Sequence, residues 1–259
     1  MKAKVLAVAN QKGGVGKTTT ALSLGAAMHR MDRKVLVVDL DPHACATIHL
    51  AFYPENLEHT VYDVIKAGPE RAGELWSKVI RKAEGAGFDF APASIRISEL
   101  EMDLKSVPNR GAILTERLKP LKPKYDYIIL DCPPHVGVVL INSLVSSNLI
   151  IIPIQTDFLA LHGMRLIFDT MRILNKAMPR PLEFKALATM FDRRAGACRR
   201  VLNLLRKKLG KRLFETVINL DTKFREASAS GKVIYEVDPG TRGAIEYGLL
   251  AKEIENENA

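Results

Sequence analysis

Apolar positions come in short unbroken blocks along this chain, set apart by stretches with helical spacing. Residues 5–9, Val35–Asp39, Tyr127–Asp131 and 149–154 are strand-length runs rich in Val, Ile and Leu, and 183–189 is a fifth. A strand that is apolar at consecutive rather than alternate positions is covered on both faces, which is the pattern of a parallel sheet. Helical patterns fall between the runs, at 18–30 (Leu22, Leu24, Ala26, Ala27 and Met28), at Val138–Ser146 and at 159–175. Right-handed crossovers then give an α/β fold, a doubly wound, mostly parallel sheet flanked by helices. Residues 52–87 are less periodic and read as helices and loops at a sheet edge, with Trp76 packed beneath a surface helix. Residues 119–124 form a connector into the next strand. With no internal repeat, 1–259 reads as a single domain. Near the end, a turn at Gly240-Thr241-Arg242-Gly243 precedes Ile245, Leu249, Leu250 and Ile254, predicting a terminal helix that docks on the core through those residues.

Composition changes this picture only in its charge. Hydrophobic residues at 47% and charged residues at 26% are ordinary, and exclude a disordered or collagen-like chain. The cysteines Cys45, Cys132 and Cys198 form no CxxC pair, so a zinc ribbon is not expected and a reduced compartment is. No stretch reaches the ~18 apolar residues of a membrane span, and the opening apolar run is shorter than a signal-peptide core, so a cytoplasmic location is expected. The net charge of +9 favours polyanionic partners. It is localised, because nine cations and no acidic residue lie between Arg193 and Arg212. On a helix over 199–209, Val201, Leu202, Leu205 and Leu209 share one face, while Arg199, Arg200, Asn203, Arg206 and Lys207 share the other. Solvated helix faces commonly mix signs and this one does not, which points to the phosphate backbone of duplex DNA.

The most informative segment is Lys12-Gly13-Gly14-Val15-Gly16-Lys17-Thr18-Thr19, which follows a predicted strand and opens a predicted helix. Glycines let backbone N–H groups converge on phosphate oxygens, and the helix N-terminus adds unpaired donors. Lys17 is the residue to reach the β- and γ-phosphates, and Thr18 the one to place a hydroxyl on Mg2+. The strict pattern G-x-x-x-x-G-K-[ST] is broken by Gln11, and a second lysine, Lys12, opens the loop.

Two other strands run into aspartates, at Asp39-Leu40-Asp41-Pro42 and Asp131-Cys132-Pro133-Pro134. The carboxyl ends of parallel strands form the ligand crevice of such a sheet. Asp131 suits a metal role. Asp39 and Asp41 alternate, so one is expected to face a metal and the other a water. The plainer alternative is that these aspartates cap helices or turns.

Together these segments resemble the ParA/MinD superfamily: the lysine-flanked loop looks like its deviant Walker A motif, and the two aspartate segments like its A-prime and Walker B motifs. The resemblance continues through Pro153–Asp157, Met190–Arg193 and Asp221–Ala227. It implies an ATP- and Mg2+-dependent homodimer in which Lys12 of each subunit reaches the nucleotide of the other. It implies Asp41 as the water-positioning carboxylate, Thr18, Asp39 and Asp131 at the metal, and Met190 beside the nucleotide. Lys223 aligns with a DNA-contacting arginine of ParA relatives. Nonspecific binding to the nucleoid, slow hydrolysis stimulated by a ParB-like or other partner, no N-terminal helix-turn-helix, and partitioning of a chromosome, plasmid or protein array are further expectations. Asp41-Pro-His43 is most similar to ParA-type proteins of chemotaxis-array positioning. The departure is His43-Ala44-Cys45, where many relatives carry Gln-Gly-Asn; His43 is expected to be a packed turn residue. A MinD-like membrane-associated ATPase is the alternative, disfavoured by the acidic end Glu253–Ala259.

Overall fold

The computed structural model describes residues 3–158 and 160–257. Eight strands form one sheet: β1 (Lys4–Val8), β2 (Val35–Asp39), β3 (Arg81–Lys82), β4 (Asp89–Ala91), β5 (Tyr127–Asp131), β6 (Leu149–Gln155), β7 (Phe184–Phe191) and β8 (Leu213–Asn219). Their order is β3-β4-β2-β5-β1-β6-β7-β8, and only the β3–β4 pair is antiparallel. The doubly wound expectation holds. β1 lies between β5 and β6, and the chain builds outward from it in both directions, so a crevice opens at the carboxyl ends of the central strands. In register, Asp131 stands beside Val8 on one side and Asp39 on the other.

Each strand serves two cores. Val5 and Ala7 of β1, with Leu36, Val38, Ile128 and Leu130, face one apolar layer, while Leu6, Val8, Val37 and Ile129 face the other. The first layer is covered by helices α2 (Val138–Ser146), α3 (Ala160–Asn175) and α4 (Gly196–Leu209), together with the short helices Val61–Lys66 and Ala72–Val79. The second is covered by α1 (Lys17–His29) and α6 (Arg242–Asn256); α5 (Lys223–Ala229) lies between β8 and α6 in the chain. α1 approaches the sheet closely at Gly25, where a Cβ would fall 2.7 Å from Val37 Cγ2. Trp76 is buried as expected, and its indole N–H donates to the Arg117 carbonyl at 2.7 Å.

Two expectations change. Residues 52–87 hold the expected helices but also β3, and the neighbouring β4 pairs with β2 inside the sheet. The terminal helix forms, and Leu250 and Ile254 are fully buried, yet Ile245 and Leu249 are 55% and 52% exposed. These two lie one turn apart on the outer face, whereas Tyr247, Leu250, Ala251 and Ile254 make the docked one. The helix expected over 159–175 is described from Ala160, and Leu159 lies outside the described residues.

Candidate nucleotide site and basic face

The loop between β1 and α1 is built to leave donors free. Gly14 and Gly16 take φ of 72° and 91°, which only glycine adopts without strain, and nothing lies within 4 Å of where a Cβ on Gly13 or Gly14 would stand. Gly16 caps α1 without a side-chain hydrogen bond, so among the described residues no side-chain oxygen caps the first-turn N–H groups. The loop is held from behind: Asn10 Nδ2 donates to the Pro153 carbonyl at 2.7 Å, Asn10 Oδ1 accepts from Lys12 N at 3.0 Å, and Thr189 Oγ1 donates to the Val15 carbonyl at 2.9 Å. Lys17 is buried, with Nζ 3.4 Å from the Lys12 carbonyl. Met190, in a left-handed backbone conformation with φ 51°, brings its Cε to 3.9 Å from a Cβ placed on Gly16. Loop and Met190 are therefore together, and Thr19 follows Thr18 in the first turn of α1.

The aspartates separate by their partners. Asp131 Oδ2 accepts from the Thr18 hydroxyl at 2.7 Å, while its Oδ1 is buried with no hydrogen-bond partner. Asp39 is fully buried, but both its oxygens are engaged: Oδ2 by the amide and hydroxyl of Thr47 at 2.9 and 2.7 Å, Oδ1 by the Asp41 amide at 3.1 Å. Burial pushes the Asp39 carboxyl up to about 6, against the lowering effect of the Thr47 bonds. Burial, and then the neighbouring Asp39, hold the Asp131 carboxyl well above the usual carboxylate range, opposed by the Thr18 hydroxyl and Lys17. Two adjacent buried carboxyls and an orphan oxygen call for a cation. Among the described residues no three His, Cys, Asp or Glu side chains converge, so a metal here would complete its shell with water and phosphate oxygens, as Mg2+ does. Thr18 and Asp131 fit that role directly, and Asp39 fits it as a brace. Asp41 is mostly buried, and its Oδ1 accepts from the His43 amide at 3.0 Å and lies 2.8 Å from the His43 ring Nδ1. His43 is not packed, because its side chain is 61% exposed and the turn carries it outward.

Lys12 does not hang free. Its ammonium pairs with Asp157 of the same chain at 2.7 Å, across 145 residues of sequence, and Asp157 Oδ1 is a second buried oxygen without a partner. Phe158, next in the chain, is 90% exposed. Thr47, Asp157 and Thr189 are site residues that the motif reading did not assign. Asp157 closes a segment that the family resemblance covers, whereas nothing in the local sequence marks Thr47.

The basic helix forms as α4. Leu202 and Leu205 are buried, Val201 and Leu209 partly so, and Arg199, Arg200, Arg206 and Lys207 are exposed. Arg199 donates to the carbonyls of Arg193 and Arg194 at 2.6 and 3.3 Å. Lys223 differs, since it is half-buried and its ammonium pairs with Glu226 at 2.6 Å. A pocket of about 270 Å3 at the ends of β7 and β8 is lined by Arg193, Arg194 and Arg242 with Phe191, Asp192 and Leu220. Arg242, at the start of α6, joins this cluster only through the fold.

Residues 3–184 match the AAA domain family. The sporulation initiation inhibitor protein Soj of Bacillus subtilis is 35% identical over 97% of this chain and 98% of its own. The chromosome partitioning protein ParA of Myxococcus xanthus is 31% identical over 97% of this chain and 87% of its own. Among solved structures, the cobyrinic acid a,c-diamide synthase of Mycobacterium smegmatis with bound ADP and magnesium superposes with a TM-score of 0.82 at 30% identity, covering 98% of this chain and 95% of that one. On these likenesses, which span nearly the whole chain, the chain belongs to the ParA/MinD superfamily of P-loop ATPases.

Proposed function

We propose that this chain is a partitioning or positioning ATPase that binds ATP and Mg2+, pairs as a homodimer, and holds nonspecific duplex DNA while paired. The carrying observation is the convergence of the Thr18 hydroxyl, the orphan Asp131 oxygen and buried Lys17 at an uncapped helix N-terminus. Mg2+ would neutralise the β- and γ-phosphate oxygens there. Gly13, Gly14, Val15 and Gly16 offer amides to the phosphates, Lys17 neutralises them, and Asp41 orients water. In this reading Lys12 exchanges Asp157 for the phosphates of the partner subunit, so pairing depends on the nucleotide. Pairing doubles the exposed cations of α4, and linked sites bind a polyanion far more tightly than either alone. ATP then sets DNA affinity without altering any DNA contact. Slow hydrolysis, stimulation by a ParB-like or other partner, and a nucleoid-associated cytoplasmic location complete the proposal.

The test is sedimentation and duplex binding in ATP and Mg2+. Asp41→Ala should remain dimeric and DNA-bound, while Lys12→Ala should be monomeric and bind duplex weakly, although Lys12 lies outside the basic face. Equal binding by Lys12→Ala and wild type would contradict the scheme. ATP-dependent co-sedimentation with anionic liposomes but not with duplex would favour the membrane-associated alternative.

A further inference from the structure

His43 is a polar group at the site that the proposed cycle leaves without a role. β2 ends at Asp39, and the chain turns through Leu40, Asp41 and Pro42 before the short helix Cys45–His49. Within that turn both donors of His43 meet one acceptor: the backbone N–H at 3.0 Å and the ring Nδ1 at 2.8 Å both face Asp41 Oδ1. A carboxylate oxygen accepts and does not donate, so Nδ1 is the ring nitrogen that carries the proton. Asp41 Oδ2 receives no hydrogen bond from any described residue.

The terminal torsion of an aspartate is broad and turns easily between its two oxygens. Two donors fixed on Oδ1 remove that freedom and leave Oδ2 as the acceptor on offer. The ring is 61% exposed while the carboxylate it holds is 11% exposed, so packing does not call for an imidazole here and the bond to Asp41 is its defining contact. We propose that His43 is a positioning residue for hydrolysis, clamping Asp41 Oδ1 through Nδ1–H so that Oδ2 presents a single oriented acceptor to the attacking water. The inference rests on the ATPase reading, and it adds a specific donor atom to it.

Single-turnover hydrolysis of pre-bound ATP with Mg2+ tests it, alongside the affinity for a non-hydrolysable ATP analogue. His43→Ala removes the donor, and His43→Phe keeps a ring without it. Both should slow the single-turnover rate about tenfold while analogue affinity stays within about twofold. His43→Asn places an amide N–H as many bonds from the backbone as Nδ1 and should recover the rate to within about threefold. In an Asp41→Asn background, removing His43 should cost nothing further, as expected for residues acting as a unit. A His43→Ala rate equal to wild type, or His43→Asn as slow as His43→Phe, overturns the inference and leaves the ATPase reading intact. A wild-type chain that binds the analogue with Mg2+ yet turns over no ATP overturns the reading itself, and the inference with it.

Discussion

The nucleotide crevice and the outer face of α4 handle charge in opposite ways. In the crevice Asp39, Asp131 and Lys17 are almost wholly buried, and the Asp39 and Asp131 carboxylates are fixed by bonds of 2.7 to 3.1 Å. On α4 the cations Arg206, Lys207 and Lys208 are exposed and form no ion pair among the described residues. Buried charge is expensive unless its partners are placed, so each crevice residue is irreplaceable. Exposed charge acts through its sum and is screened by salt, so each cation of α4 is one of several equivalents. Under the proposed function, chemistry therefore falls on single atoms and DNA affinity on a total.

This contrast can be broken or sharpened experimentally. The largest effect should come from Lys17→Ala, which removes the buried ammonium proposed to neutralise the phosphates: phosphate release should fall about 100- to 1000-fold with the fold intact. Next is Asp131→Asn. Because burial raises the Asp131 carboxyl, its contribution to the stability of the nucleotide-free chain is complete only below the ordinary carboxylate value of 3.8 and is lost as pH rises above it toward the raised folded-state value. The neutral variant should melt at a higher temperature than wild type at pH 8, the difference should shrink as pH falls toward 3.8, and the variant should lose the extra stabilisation that Mg2+ gives with ATP. Arg206→Ala and Lys207→Ala should each weaken duplex binding only a few-fold, equally for scrambled sequences, and each should lower the slope of log affinity against log salt by about one. A base-specific loss would break the comparison. The smallest effect belongs to Asp157→Ala. Its pair with Lys12 is partly exposed and worth about 1 kcal/mol or less, so ATP-dependent dimerisation, measured by sedimentation, should tighten no more than about fivefold.

Much of the fold could be read in advance because the central strands carry their signal in consecutive apolar residues. β1, β2, β5 and β6 were legible for that reason, and so were the glycine loop and the aspartates that end β2 and β5. β4 was not: Asp89-Phe90-Ala91 is too short and too mixed to stand out, and it becomes a strand only because β2 offers it an edge. Ile245 and Leu249 misled because apolar spacing marks a helix without saying which face docks. The pairs Lys12–Asp157 and Asn10–Pro153 join residues far apart in sequence, and the Arg193–Arg194–Arg242 cluster exists only once β7, β8 and α6 are assembled. His43 was placed wrongly because a turn residue beside a proline gives no local sign of whether its ring points inward. Its contact with Asp41 is a matter of backbone rotation that composition does not encode.

The bond between the Thr189 hydroxyl and the Val15 carbonyl has a mechanical consequence. Beyond Thr189 the polypeptide runs through Met190, Phe191 and Asp192 to the arginine pair that lines the small cationic pocket. The six residues Thr189 to Arg194 thus join the wall of the glycine loop to the cationic pocket.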